Sequence, residues 1–244
     1  PFLQYMDSDI PHNDGCIGHI EVHAPEGTVC NASFPASTSA ATIVPTDMMI
    51  DVIHMAMATA VPDLVAAGSV RCQIVPQFSG QEDANGEEWG VMLFNNSGGQ
   101  GGNREVDGWP LWESTSASGG LKIQSVEQLE LLYPIRVDEL EVEPDSMGMG
   151  ASLGGPGTRL VVESTGGPIE CITFGDSFNN PPHGVLGGTP GSGGGQYVEG
   201  TDGKRRYFSV SGRVLIEPGE KWVGISSGGG GYGNPLERDP VRVL

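Results

Sequence analysis

At 244 residues the chain can bury a sizeable core, and that length admits either one or two domains. Twelve Lys and Arg stand against 31 Asp and Glu, a formal charge of −19 that repels nucleic acid phosphates and anionic membrane surfaces, so neither is an expected partner. Gly at 39 and Pro at 18 supply about a quarter of the residues with no collagen-like period, which points to a folded chain rich in ordered turns and loops.

The opening segment, 1–15, has neither a basic start nor an apolar run, and no stretch reaches the roughly 20 apolar residues of a membrane span. Cys16, Cys30, Cys72 and Cys171 are isolated from one another, which predicts reduced thiols in a cytoplasmic protein and no structural zinc motif. "GHIEVHAPEGTVCNASFPAS" alternates apolar and polar residues on either side of a Pro25–Gly27 turn and predicts two short strands. "TDMMIDVIHMAMATAVPD" predicts a helix over 46–61, with Thr46 as N-cap, Met49, Ile50, Ile53, Met57 and Val61 at helical spacing and Pro62 as the stop.

From residue 70 onward strand signals dominate: "RCQIVPQF", "EWGVMLFN", "SVEQLELLYPIRVDELEVE", "TRLVVEST", "GPIECITFG", "RYFSVSGRVLIE" and "KWVGISS". Glycine-rich loops at 98–108, 146–157, 184–203 and 227–234 separate them, and loops of that length are functional or disordered more often than plain connectors. The pattern predicts an α+β fold dominated by antiparallel sheet, with one amphipathic helix and long glycine loops. A sub-boundary near 100–120 is compatible with it.

None of the glycine runs is a phosphate cradle. No GxxxxGK[ST] is present, and "GGGGYG" leads into "NPLERDP" rather than into a helix carrying a lysine. Its glycines point to close backbone packing. The chemistry-bearing clusters are two loops. "DIPHNDG" gathers His12, Asn13 and Asp14, which could act as acid, base or ligand, or form an Asx-type turn. "GDSFNNPPHG" places Asp176 and His183 on a turn stiffened by two prolines, where turn stabilisation explains the polar residues as well as function does. Asp145 and Ser146 carry the same two readings. No Cys lies in a catalytic neighbourhood.

Taken in order, "SDIPHNDGCIGHIEVHAPEGTVCNASFPA", "LELLYPIRVDELEVEPDSMGMGASLGGPGTRLVV", "PPHGVLGGTPG" and "SSGGGGYGNPLERDP" resemble the hydantoinase B family. That family includes subunits of N-methylhydantoinase, 5-oxoprolinase, and acetone and acetophenone carboxylases. The resemblance implies that residues 1–244 are the C-terminal portion of a longer subunit. It further implies a hydantoinase A-type partner that binds ATP with Mg, and a divalent metal, Zn or Mn, held by the missing N-terminal portion; no metal ligand or cofactor-binding residue is carried over to this segment. The implied function is completion of the hydrolysis of a cyclic amide (a hydantoin, 5-oxoproline or a lactam) after the partner has phosphorylated it. A ketone carboxylase subunit and a non-catalytic assembly domain are the alternatives. Two departures stand out: "DSMGMG" replaces the family's usual "DSGGPG" or "DSGGAG", and His183 stands where the family is often aromatic. The expected site contributors are His12, Asp14, Asp176 and His183, acting on a small-molecule substrate by orientation and hydrogen bonding. Replacing Gly229 and Gly230 by alanine is expected to impair assembly or turnover without unfolding the chain.

Overall fold

The computed structural model describes residues 7, 9–11, 13–18, 20–38, 44–71, 74–81, 86–116, 119 and 122–242. Its contacts divide the chain into two units, Pro1–Ala41 and Thr42–Leu244.

In the first unit the described residues form one short helix, α1 (Asp14–Ile17), whose N-cap Asn13 accepts the Gly15 amide at 3.0 Å. The two expected strands are absent among them. The local hydrogen bonds go instead to turns: Gly27 N–H reaches the Asn31 carbonyl at 2.8 Å, and the Thr28 hydroxyl reaches the Pro25 carbonyl at 2.8 Å. Alternation of apolar residues needs a neighbouring strand and a covered face to become a sheet, and the described residues of this unit supply neither: Val22, Val29 and Phe34 are exposed.

The second unit begins with α2 (Val44–Met57), continues through β1 (Val75–Gln81), β2 (Glu88–Met92), α3 (Val126–Leu132), β3 (Ile135–Val142), β4 (Thr158–Ser164) and β5 (Ile169–Phe174), and closes with β6 (Gly195–Glu199), β7 (Arg205–Tyr207), β8 (Gly212–Ile216) and β9 (Lys221–Ile225). All strand pairs are antiparallel, in one sheet of order β2-β1-β5-β8 and another of order β3-β4-β9-β6-β7. The expected α+β class, mainly antiparallel, is what the chain adopts.

The sheets bury one continuous core between them: Phe78, Ile169, Cys171 and Ile216 come from the first, and Ile135, Leu160, Val162, Val198 and Trp222 from the second. Trp222 is fully buried, packs edge-on against Phe78 with centroids 5.6 Å apart, and donates its indole N–H to Gln196 at 3.3 Å. Two elements differ from the sequence expectation. The run from Ser125 was expected to be strand throughout, but its first turns are α3, because Ser125 Oγ caps the Gln128 amide at 3.4 Å and Leu129 packs into the core. The S-x-x-Q spacing was the available signal. Strand β6 lies inside the stretch expected to be a glycine loop; its Gln196, Tyr197 and Val198 are buried and pair with β9.

The glycine loops are neither slack nor disordered. They pack against one another backbone to backbone. Around the hub at 227–231, Gly229 donates to the Gly155 carbonyl at 2.8 Å and accepts from Gly148 at 2.8 Å. Gly230 donates to Gly68 at 2.8 Å and accepts from Gly102 at 2.9 Å, while Gly231 donates to Thr189 at 2.9 Å and accepts from Val185 at 3.1 Å. Three consecutive residues thus bond to three different pairs of neighbouring segments. A Cβ would fall on the Ser146 carbonyl from Gly228, on the Gln100 carbonyl from Gly229, on the His183 carbonyl from Gly230 and on the Met149 carbonyl from Gly231. Side chains are excluded there by the closeness of the neighbouring chains.

The C-terminal end is pinned to this bundle. Arg238 reaches both oxygens of Asp107, at 2.8 and 2.9 Å, and the Ala151 carbonyl at 3.1 Å. The Arg238 guanidinium holds the Asp107 carboxyl below its usual range. Arg238→Ala removes a two-pronged charge-assisted pair and is expected to cost about 1–3 kcal/mol. Urea unfolding checks this: lysine at 238, with one point charge, should restore only part of the loss.

Candidate functional site

Helix α2 buries a polar stripe. Asp47, Asp51 and His54, spaced i, i+4 and i+7, are buried, whereas Met48, Met49, Val52, Ile53 and Met55 are exposed. The apolar residues at helical spacing divide: Met49 and Ile53 face out, whereas Met57 and the following Val61 pack against the cluster of Ala58, Val65, Ala67, Val185 and Tyr232. Both stripes have helical period, and periodicity does not say which one turns inward.

The buried polar stripe meets three loops. Asp47 Oδ1 accepts the Ser116 amide at 2.7 Å, and His54 Nδ1 accepts the Ala66 amide at 3.4 Å. Between them, Asp51 Oδ2 lies 3.7 Å from Arg71 Nε and 3.9 Å from His183 Nδ1. Arg71 Nε lies 3.3 Å from Asp176 Oδ2, and Arg71 also donates to the Asn180 carbonyl. Segment 176–183 and helix α2 are thus joined through one guanidinium. His183 is held from behind by the glycine bundle: its carbonyl accepts the Gly68 amide at 2.8 Å, and a Cβ at Gly68 would come within 2.7 Å of its Nδ1.

Burial dominates the electrostatics. It pushes the Asp51 carboxyl up to about 7; Arg71 opposes the rise, and the nearby Asp47 carboxylate adds to it. Burial likewise lifts Asp47 to about 6, against the hydrogen bonds from Ser116. His183 is driven down to about 4 by burial, then by Arg71 and His54, and burial lowers His54 too. Both histidines are therefore neutral at neutral pH. Asp51 Oδ2, Arg71 Nε, Asp176 Oδ2 and His183 Nε2 are all buried without a hydrogen bond, although Arg71 Nε is close enough to both carboxylates to pair with their charge. Such a concentration of perturbed and unsatisfied polar groups marks a functional site more often than a structural one.

Of the four residues expected from sequence, the structure brings Asp176 and His183 together. Asp14 is exposed on α1 in the first unit, and His12 lies outside the described residues. Asp51 and Arg71 were missed by the sequence reading. The polar stripe Asp47, Asp51 and His54 was the available signal for Asp51; nothing local distinguishes Arg71. Ser146 proves structural: its hydroxyl donates to the Glu143 carbonyl at 2.7 Å and accepts the Gly157 amide at 2.8 Å. A cleft of about 590 Å3 opens elsewhere, lined by residues such as Ser79, Trp89, Pro168 and Glu170, so this cleft and the concentrated chemistry do not coincide. Among the described residues no three His, Cys, Asp or Glu side chains converge to hold a metal ion. No helix among them is long and apolar enough to cross a membrane.

The profile of the hydantoinase B/oxoprolinase family matches residues 2–235, and the chain belongs to that family. It is 29% identical over 240 residues to the beta subunit of the caprolactamase of Pseudomonas jessenii, covering 96% of this chain and 41% of that protein. It is 30% identical over 239 residues to a putative D-/L-hydantoinase B subunit from Pseudomonas sp. (strain NS671), covering 97% and 39%. The chain spans about two fifths of the length of these relatives. The crystal structure of the ATP-dependent caprolactamase from Pseudomonas jessenii superposes with a TM-score of 0.84 at 26% identity, over 100% of this chain and 43% of that one. Nucleotide-free acetone carboxylase shares the fold, with a TM-score of 0.64 at 19% identity over 77% of this chain and 29% of its own.

Proposed function

We propose that this chain is the C-terminal portion of a hydantoinase B-type subunit that completes the ATP-dependent hydrolysis of a cyclic amide. The observation that carries the reading is the likeness to caprolactamase, which extends over the whole chain. The likeness to acetone carboxylase covers less of it and supports the fold alone. On this reading a hydantoinase A-type partner binds ATP with Mg and phosphorylates the amide oxygen, and a divalent metal, Zn or Mn, belongs to the part of the subunit outside these residues. Water then adds to the activated carbon. Asp176 and His183 contribute to the site by orientation and hydrogen bonding, with Asp51 and Arg71 joining them. For His12 and Asp14 the family motif is the only support.

The test is ATP consumption by the full subunit with its partner, on hydantoins, 5-oxoproline and lactams against ketones with bicarbonate. Turnover of a cyclic amide without bicarbonate is the expected result. Bicarbonate-dependent turnover of a ketone would replace the hydrolase by a carboxylase, and an active complex in which His183 and Asp176 are freely replaceable would reduce this segment to an assembly role.

A further inference from the structure

We propose that the outer side of helix α2 is a docking surface, and that its occupant is the portion of the longer subunit outside residues 1–244. The proposal rests on the reading above that this chain is the C-terminal portion of such a subunit.

The helix is inverted with respect to water. Its ionisable residues, Asp47, Asp51 and His54, are all buried, and every residue of it that is exposed is apolar: Met48, Met49, Val52, Ile53, Met55 and Ala56. At 3.6 residues per turn these six share one side of the helix, opposite the buried stripe. A helix that ends at water carries its charged residues outward. Scattered exposed apolar residues are ordinary, but a continuous patch with no polar residue inside it marks a surface that another protein segment covers. Three of the six are methionines, whose unbranched side chains adapt to a partner's shape.

Area and charge choose the occupant. The 14 residues of α2 make a helix about 21 Å long and about 10 Å across, so one side of it offers a few hundred Å2. Two separate chains need about 800 Å2 from each to stay together. A segment of the same chain needs less, because attachment holds it at millimolar effective concentration. A second copy is opposed further by its own formal charge of −19. The similar caprolactamase and hydantoinase subunits supply such a segment, since this chain matches only 41% and 39% of their lengths.

Docking there also bears on the polar site. The first turns of α2 are held by polar contacts, Asp47 with the Ser116 amide and Asp51 beside Arg71, and apolar anchoring begins at the last turn, with Met57 and Ala58. Pressure from outside fixes the helix where its own unit holds it least. Helix α2 is then the element that both portions share, with its inner stripe in the polar site and its outer side against the other portion.

The test uses the full subunit with its partner, carrying the photocrosslinking residue p-benzoylphenylalanine in place of Val52 and, in a second preparation, of Met49. Irradiation should join the labelled position to a peptide of the same subunit from outside residues 1–244, without raising the subunit's mass. A crosslinked dimer, a crosslink to the ATP-binding partner or to a peptide within residues 1–244, or no crosslink from either position would overturn the docking. In the same complex, Val52→Glu combined with Ile53→Glu should speed hydrogen exchange across α2 by about 10-fold or more, and Val52→Ile, which keeps the side apolar, should not. Equal exchange in the two variants would count against the docking as well. The mass of the purified native subunit tests the underlying reading first: a subunit no longer than this chain would overturn the C-terminal assignment itself. Bicarbonate-dependent turnover of a ketone would replace the hydrolase and leave the docking intact.

Discussion

Gly229→Ala is expected to cost more than about 4 kcal/mol, enough to unfold the chain, because a marginal folding free energy cannot absorb a core overlap of that kind. The added methyl would fall on the Gln100 carbonyl. Gly229 cannot step aside, since its N–H is committed to Gly155 and its C=O to Gly148, and moving it breaks both bonds inside the bundle. Neither is the obstacle a flexible side chain: it is backbone that is itself hydrogen-bonded, through Gly155, which donates to Gln100 at 2.7 Å. Sequence reasoning expected alanine at 229 and 230 to spare the fold, and the bundle corrects that expectation. Gly195→Ala is the control: it lies at the start of β6 with nothing within 4 Å of the added Cβ, and it should be neutral or slightly stabilising. Thermal unfolding of the two variants should separate them plainly; equal stability would mean that the bundle yields.

Asp51→Asn is expected to gain stability relative to the wild type as pH rises. The Asp51 carboxyl titrates near 3.8 when unfolded and at about 7 when folded. Between those values the native state binds more protons than the unfolded state, so this group's contribution is fully present below about pH 4 and is lost as pH rises through about 7. A rise of that size corresponds to on the order of 4 kcal/mol. His183 acts in the opposite direction: its depressed value makes the native state bind fewer protons between about 4 and 6.5, so its contribution strengthens as pH rises through that interval. The wild-type curve therefore contains opposing slopes, a falling one from Asp51 and Asp47 and a rising one from His183 and His54, and the variant removes the Asp51 contribution. Urea unfolding at about pH 4.5 and about pH 8 should show Asp51→Asn moving from near parity with the wild type to being more stable. Parallel behaviour at both would mean that Asp51 is not held in a desolvated site. Stability gained where activity is lost is the usual mark of a group kept for chemistry.

These expectations rest on parts of the molecule that differed in how far they could be read in advance. The strands around Phe78, Val162, Cys171 and Val223 were legible because β-branched and aromatic runs bounded by Gly, Pro and Asn have few other ways to bury themselves. Helix α2 was legible as a helix, with its period visible in either stripe. Its orientation was not. The cost of turning Asp47, Asp51 and His54 inward is met by residues 116, 71 and 66, whose proximity no local pattern states.

The order of residues alone carried the antiparallel α+β class, the acidic character, the lack of a phosphate-binding glycine motif, and the family, whose motifs run along the whole chain. It also marked the Asp176–His183 turn. That the glycines form a close-packed interior, and that Asp51 and Arg71 complete the polar site, emerged from the folded arrangement. The physical reason is common to both. A glycine records that a side chain is excluded without recording what excludes it, and an ionisable group records its charge without its burial. Each becomes definite only when segments more than a hundred residues apart, 66–71 with 176–183 and 227–231, are brought within hydrogen-bonding distance.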